Sequence, residues 1–206
     1  MKHILFFLIS FNVSLSAQNI DMEKDTIQMK GVVIAGKKHK PKHVSYKFRR
    51  GICTYHTSLS DGYEMASMAY NMPKGMLKTL RFEFNNTAPR EDKGKYVDTL
   101  IELKLYDVKP DGNPGDKIGS KNFMVPGSHS GKMDIDVSDL AVRNENGIYI
   151  ALRKVERDNA KASDFEVDCS CNEYENYKAM LYSAKRKKWL PAHGPYAFEL
   201  TVTIEK

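Results

Sequence analysis

From His43 to the C-terminus, apolar residues recur at every second position, and this alternation restricts the chain to half-buried β-strands. The clearest runs are Leu80-Arg81-Phe82-Glu83-Phe84, Leu100-Ile101-Glu102-Leu103-Lys104-Leu105 and Met133-Asp134-Ile135-Asp136-Val137. Ile148-Tyr149-Ile150-Ala151-Leu152 and Phe198-Glu199-Leu200-Thr201-Val202-Thr203-Ile204 continue the series. Side chains on a strand point alternately to its two faces, so one face of each run meets a core and the other meets water, as in antiparallel sheets. Weaker strands are expected over Val44–Phe48, Ile52–Thr57, Glu64–Tyr70, Lys117–Val125 and Ala179–Ser183. Turn signals separate them: Asp61-Gly62, Pro73-Lys74-Gly75, Asp111-Gly112-Asn113-Pro114-Gly115, Pro126-Gly127 and Asn146-Gly147. No segment sustains a helical period, and the polar stretch 156–178 has room for one helical turn. Many short strands with regular turns predict an all-β fold, an antiparallel, jelly-roll-like β-sandwich over residues 43–206.

The N-terminus reads as a secretory signal peptide over residues 1–17. Met1-Lys2-His3 is a short positive segment, Ile4 to Phe11 is mostly apolar, and Ser14, Ser16 and Ala17 are small residues before a cut after Ala17. That run is too short to span a bilayer, and no later stretch is long and apolar enough, so no transmembrane segment is expected in the mature chain. The expected location is exported: periplasm, outer-membrane surface or extracellular. Residues 18–42 read as an extended arm ending in the basic linker Lys37-Lys38-His39-Lys40-Pro41-Lys42. Export makes disulfides durable, and the three cysteines allow one bridge, expected between Cys53 and either Cys169 or Cys171.

Lys plus Arg number 32 against 26 Asp plus Glu, a net charge of +6 in 206 residues. The excess is too small to diagnose an anionic partner. Much of it sits in the arm and in Lys185-Arg186-Lys187-Lys188, two patches that suit an anionic polymer. Nucleic acid is not an expected partner, because no nucleic-acid-reading signature accompanies them.

Three stretches carry a resemblance. They are Gly75 to Asn85, then Leu103-Lys104-Leu105-Tyr106-Asp107-Val108-Lys109-Pro110-Asp111-Gly112-Asn113-Pro114-Gly115, and Met133 to Leu140 followed by Gly147 to Leu152. In this order they resemble the C-terminal β-sandwich region of secreted Bacteroidetes carboxypeptidase-like regulatory-domain proteins. The segment Asp25 to Gly36 is similar to that group's pre-domain motif of alternating valines. The resemblance implies a jelly-roll-like sandwich in an exported protein of a Gram-negative envelope, and it brings no activity with it.

Catalytic and metal chemistry find little support. Asp107, Asp111, Asn113 and Asp116 crowd one loop, but the register of a calcium-binding loop is absent and such residues make turns. Asp134 and Asp136 share one strand face and are the carboxylate pair a carbohydrate-active hydrolase would use; the simpler and preferred reading is a polar solvent face opposite Met133, Ile135 and Val137. Gly127-Ser128-His129-Ser130-Gly131 lies between strands, without the helix that follows a serine-hydrolase elbow. No catalytic residue, metal ligand or cofactor is therefore assigned. The aromatic residues are more informative. Trp189, the only tryptophan, follows the basic run, with Tyr182 before it and Tyr196 after it. Trp189, Tyr182, Tyr196, Lys187 and Lys188 are the expected ligand-binding residues, suited to a glycan or an envelope protein. The alternative for Trp189 is a cap on the core at a hairpin. The expected function is a non-catalytic binding or structural interaction module.

Overall fold

A computed structural model describes residues 41–48, 56–59, 63–86, 98–155, 165–170 and 178–204. The expected signal peptide, the arm as far as Lys40, and Cys53 and Cys171 lie outside the described residues, and with them the expected disulfide. In chain order the strands are β1 (Lys42–Phe48), β2 (His56–Ser58), β3 (Glu64–Ala69), β4 (Gly75–Asn86), β5 (Thr99–Val108), β6 (Pro114–Val125) and β7 (Gly131–Asp136). They continue with β8 (Arg143–Asn144), β9 (Ile148–Lys154), β10 (Phe165–Asp168), β11 (Ala179–Ser183), β12 (Lys188–Ala192) and β13 (Phe198–Ile204). A single 3-10 turn, Ser138–Leu140, is the only helical element among the described residues.

The strands form two antiparallel sheets. The first runs β1-β13-β4-β10-β2, with β7 and β8 also paired to β4; the second runs β12-β11-β3-β9-β5-β6. The chain changes sheet at most of its connections, and β1 and β13 pair along their whole length, from Lys42↔Ile204 to Phe48↔Phe198. The result is a β-sandwich of jelly-roll character.

The inward positions are those the alternation marks. Leu80, Phe82 and Phe84 from β4 and Leu200 and Val202 from β13 meet Leu103 and Leu105 from β5 and Ile150 and Leu152 from β9, all at most 1% exposed. Leu77 also faces inward, although it breaks parity with Leu80, because a bulge opposite Thr201 and Val202 shifts the register there. Phe82 is the hub: its ring lies 5.9 Å from Phe198, 6.0 Å from Phe84 and 6.2 Å from Tyr196.

Three strands fall outside the sequence expectation. β8 is only two residues long, β12 contains Pro191 and follows a run of charge, and β10 occupies part of the stretch given room for a helical turn. Proline is tolerated in β12 because it is an edge strand. Tertiary pairing makes β10 a strand: Val167 lies between Phe84 and Thr57, and its side chain is fully buried.

Truncation at the hub removes contacts that no neighbour can replace. Phe82→Ala is expected to lower stability by about 3–5 kcal/mol, whereas Ile118→Thr, at a surface position, should change it by no more than about 0.5 kcal/mol. Urea unfolding checks both; comparable losses would place the core elsewhere.

Candidate functional site

The second sheet buries side chains on both faces. Its inner face joins the main core, while on its outer face Ala66, Met68, Tyr149, Ala151 and Met180 form a second buried cluster. Tyr70, Tyr106, Val108 and Trp189 pack around it.

Strand register explains how this outer face is built. Tyr182 pairs with Trp189 and with Glu64, Glu64 with Arg153, and Arg153 with Glu102. These five residues therefore form one row across β12, β11, β3, β9 and β5. The next row is Met180, Ala66, Ala151 and Lys104, and the third contains Met68, Tyr149 and Tyr106. The alanines leave a depression in the middle of the sheet. Lys104 and Tyr106 lean across it from β5, past β9, to reach Glu64 on β3.

Glu64 is 6% exposed and both its carboxylate oxygens are taken. Lys104 Nζ donates to Oε2 at 2.7 Å, and the Tyr106 hydroxyl donates to Oε1. The same ammonium lies 3.3 Å from Glu102 Oε2. Burial, reinforced by the hydrogen bond to Glu64, pushes the Tyr106 phenol far above its ordinary range. Trp189 meets Tyr106 and Tyr182 edge-on, each at 5.3 Å between ring centroids. Such pairs hold rings in place as well as burying area.

Two clefts open here. One, of about 420 Å³, is lined by Glu64, Lys104, Tyr106, Arg153, Tyr182 and Trp189 among others. The second, also about 420 Å³, lies toward Lys109, Asp111, Asn113, Lys187 and Lys188. Gly115, Tyr182 and Trp189 line both. Both are within the size range of small-ligand sites.

The loop beside them is held by its own polar groups. Asp111 accepts hydrogen bonds from the Asn113 backbone N–H at 3.0 Å and from Asn113 Nδ2 at 2.9 Å, which hold its carboxyl below the usual range. Asp107 accepts from the Asp116 N–H at 2.6 Å. A Cβ on Gly115 would come within 1.9 Å of that Asp107 oxygen, so the close approach requires glycine. Tyr149 donates its hydroxyl to the Gly112 carbonyl at 2.7 Å and anchors the loop over the second cluster. Asp107, Asp111 and Asn113 thus act as turn-makers. No group of three or more metal-ligating side chains occurs among the described residues.

Of the expected ligand-binding residues, Trp189, Tyr182, Lys187 and Lys188 come together on this face. Trp189 does sit at a hairpin, but it packs on the outer cluster and not on the main core. Tyr196 is a correction. It is 1% exposed in the core between the sheets, its N–H donating to Ser67 Oγ at 2.6 Å and its ring edge-on to Phe82. Its hydroxyl has no hydrogen-bond partner among the described residues, and burial pushes the phenol far up. Glu64, Lys104, Tyr106 and Arg153 were not among the expected residues.

The other polar clusters are committed elsewhere. Arg81 holds Asp134 with two hydrogen bonds, at 2.5 and 2.8 Å, and keeps its carboxyl below the usual range. Asp136 accepts from the Ser138 hydroxyl at 2.6 Å and N–H at 2.9 Å, which lowers it too. A general acid needs the opposite shift. A smaller depression of about 190 Å³ on the first sheet is lined by Arg81 and Glu199, which face each other at 3.6 Å, and by Lys47, which also pairs with Glu199. On that sheet Asp168 bonds His56 at 2.8 Å and Asn85 at 2.7 Å. Cys169 follows Asp168 in sequence and lies against the Thr57 hydroxyl at 2.5 Å.

The Lys104–Glu64 pair has side chains only 11% and 7% exposed, so removing one partner strands a buried charge. Lys104→Met is expected to destabilise the fold by about 3 kcal/mol, and adding Glu64→Gln should recover most of that loss. Chemical denaturation of the two variants checks this; equal losses in both would mean that Lys104 does not hold the carboxylate.

No protein-family model matches this chain, and no curated protein matches it. Among solved structures it is similar to a clostridial cysteine protease, Cwp84, after propeptide cleavage, at 11% identity and a TM-score of 0.51, over 79% of this chain and 40% of that one. It is also similar to the cysteine protease and lectin-like domains of Cwp84, a surface-layer-associated protein of Clostridium difficile, at 11% identity and a TM-score of 0.46, over 69% of this chain and 32% of that one. The chain thus spans less than half the length of either. At 11% identity, the likeness with a TM-score of 0.51 is one of fold alone.

Proposed function

We propose that this chain is an exported, non-catalytic binding module of a bacterial envelope, and that it takes a glycan on the outer face of its second sheet. One observation carries the reading: Trp189, Tyr182 and Tyr106 surround a cleft whose floor holds the Glu64–Lys104 pair. Sugars present apolar C–H faces and rows of hydroxyls. Aromatic side chains suit the first, while carboxylate and ammonium groups fixed by a sheet suit the second. Glu64 has both oxygens engaged and Asp134 is bound to Arg81, so neither has the environment of a catalytic acid.

The test is calorimetry of the purified protein against oligosaccharides found on a glycan array. Trp189→Ala should weaken binding at least about tenfold, and the Asp134→Asn/Asp136→Asn double variant should leave it unchanged. Glycan hydrolysis that disappears in the aspartate variant would favour the hydrolase instead.

A further inference from the structure

The second cleft narrows the class of glycan, an inference that rests on the reading just given. Its lining contains three ammonium groups, Lys109, Lys187 and Lys188, and one carboxylate, Asp111. Asp111 is hydrogen-bonded to Asn113 but keeps its charge, which also acts on Lys109, so the lining carries an excess of positive charge and not three unopposed ammonium groups. None of the three lysines makes an ion pair among the described residues, whereas Lys47, Lys74, Lys104 and Lys121 all do. A fourth ammonium adjoins the same loop: a Cβ on Gly112 would lie 2.8 Å from Lys178 Nζ. Ammonium groups that share a cleft repel one another, and an anion placed between them relieves that repulsion.

The backbone supplies an independent observation. Lys187 has φ of 50°, in the left-handed region that glycine or asparagine occupies with less strain. The β11–β12 hairpin therefore carries a lysine where the backbone favours a residue without a Cβ, and that lysine lines the cleft. Strained positions of this kind gather at binding sites. The two clefts meet at Trp189 and Tyr182, so one ligand can rest on the aromatic rings and extend its charge toward the lysines.

We propose that the ligand is an acidic polysaccharide, with a sugar ring against Trp189 and the carboxylate of a uronic acid unit received by Lys109, Lys187 and Lys188. Specificity then comes from rings and charge together, and neither alone is sufficient. A nucleic acid would also satisfy the lysines through its phosphates, so it is the rival occupant that the experiment has to separate.

The experiment uses the full chain and three probes of equal length: hexagalacturonate, its methyl ester, which keeps the rings and removes the charge, and single-stranded oligothymidylate. Hexagalacturonate is expected to bind at least about tenfold more tightly than the ester at low salt. Lys187→Ala/Lys188→Ala should shrink that difference severalfold, and Trp189→Ala should weaken both sugars. Equal binding of acid and ester, with no effect of the lysine variant, would overturn the acidic preference and leave the glycan site standing. Binding of oligothymidylate as tight as that of hexagalacturonate, unaffected by Trp189→Ala, would reduce the site to unselective electrostatics and overturn both. Failure of both sugars to bind would likewise overturn the glycan reading and the inference built on it. Lys187, on the turn, and Lys188, the first residue of β12, are both exposed, so unchanged thermal stability distinguishes a binding effect from misfolding.

Discussion

A carboxylate removed from water has to be met where it is buried, and the outer face of the second sheet is arranged around meeting Glu64. Its partners come from another strand, across an intervening one, and the crossing is open only because Ala66 and Ala151 have no bulk to obstruct it. Lys104 and Tyr106 are thereby drawn over the sheet, and Tyr106 supports the edge of Trp189. One buried charge thus determines where the aromatic rings stand and where the clefts open.

The site rests on strands whose opposite faces form the main core. Leu103 and Leu105 hold β5 from below while Lys104 and Tyr106 act above, and Ile150 and Leu152 do the same on β9 beside Ala151 and Arg153. Geometry built on strands is more precise than geometry built on loops. The adjoining loop is held by Asp107, Asp111 and the hydroxyl of Tyr149, so the lysine-lined cleft also has a fixed wall.

The fold was legible because period two is a local signal, and the long alternating runs around Leu80, Leu103, Ile150 and Leu200 are the strands that carry the core. β10 was not legible: four residues in a polar stretch become a strand only through pairing with β4 and β2. The site was half legible. Trp189 and Tyr182 stand close in sequence across one hairpin, and the lysines lie between them. Glu64 and Lys104 are 40 residues apart and pair across an intervening strand, which no short-range pattern reveals. A hint did exist, since Glu64 opens a strand whose other residues are all small or apolar, Met65-Ala66-Ser67-Met68-Ala69. Tyr196 misled because nearness in sequence to Trp189 was taken for a shared face, whereas the chain passes into the core between β12 and β13.

The proposed ligand meets the protein at the aromatic corner of the second sheet, and Trp189 reports on that corner without labels because the chain has only one tryptophan. The most direct measurement is its fluorescence during titration with an oligosaccharide whose binding is measured in parallel by calorimetry. A saturable shift in emission with the calorimetric affinity is the predicted result. Calorimetric binding with unchanged Trp189 emission would contradict the account and move the site to another face.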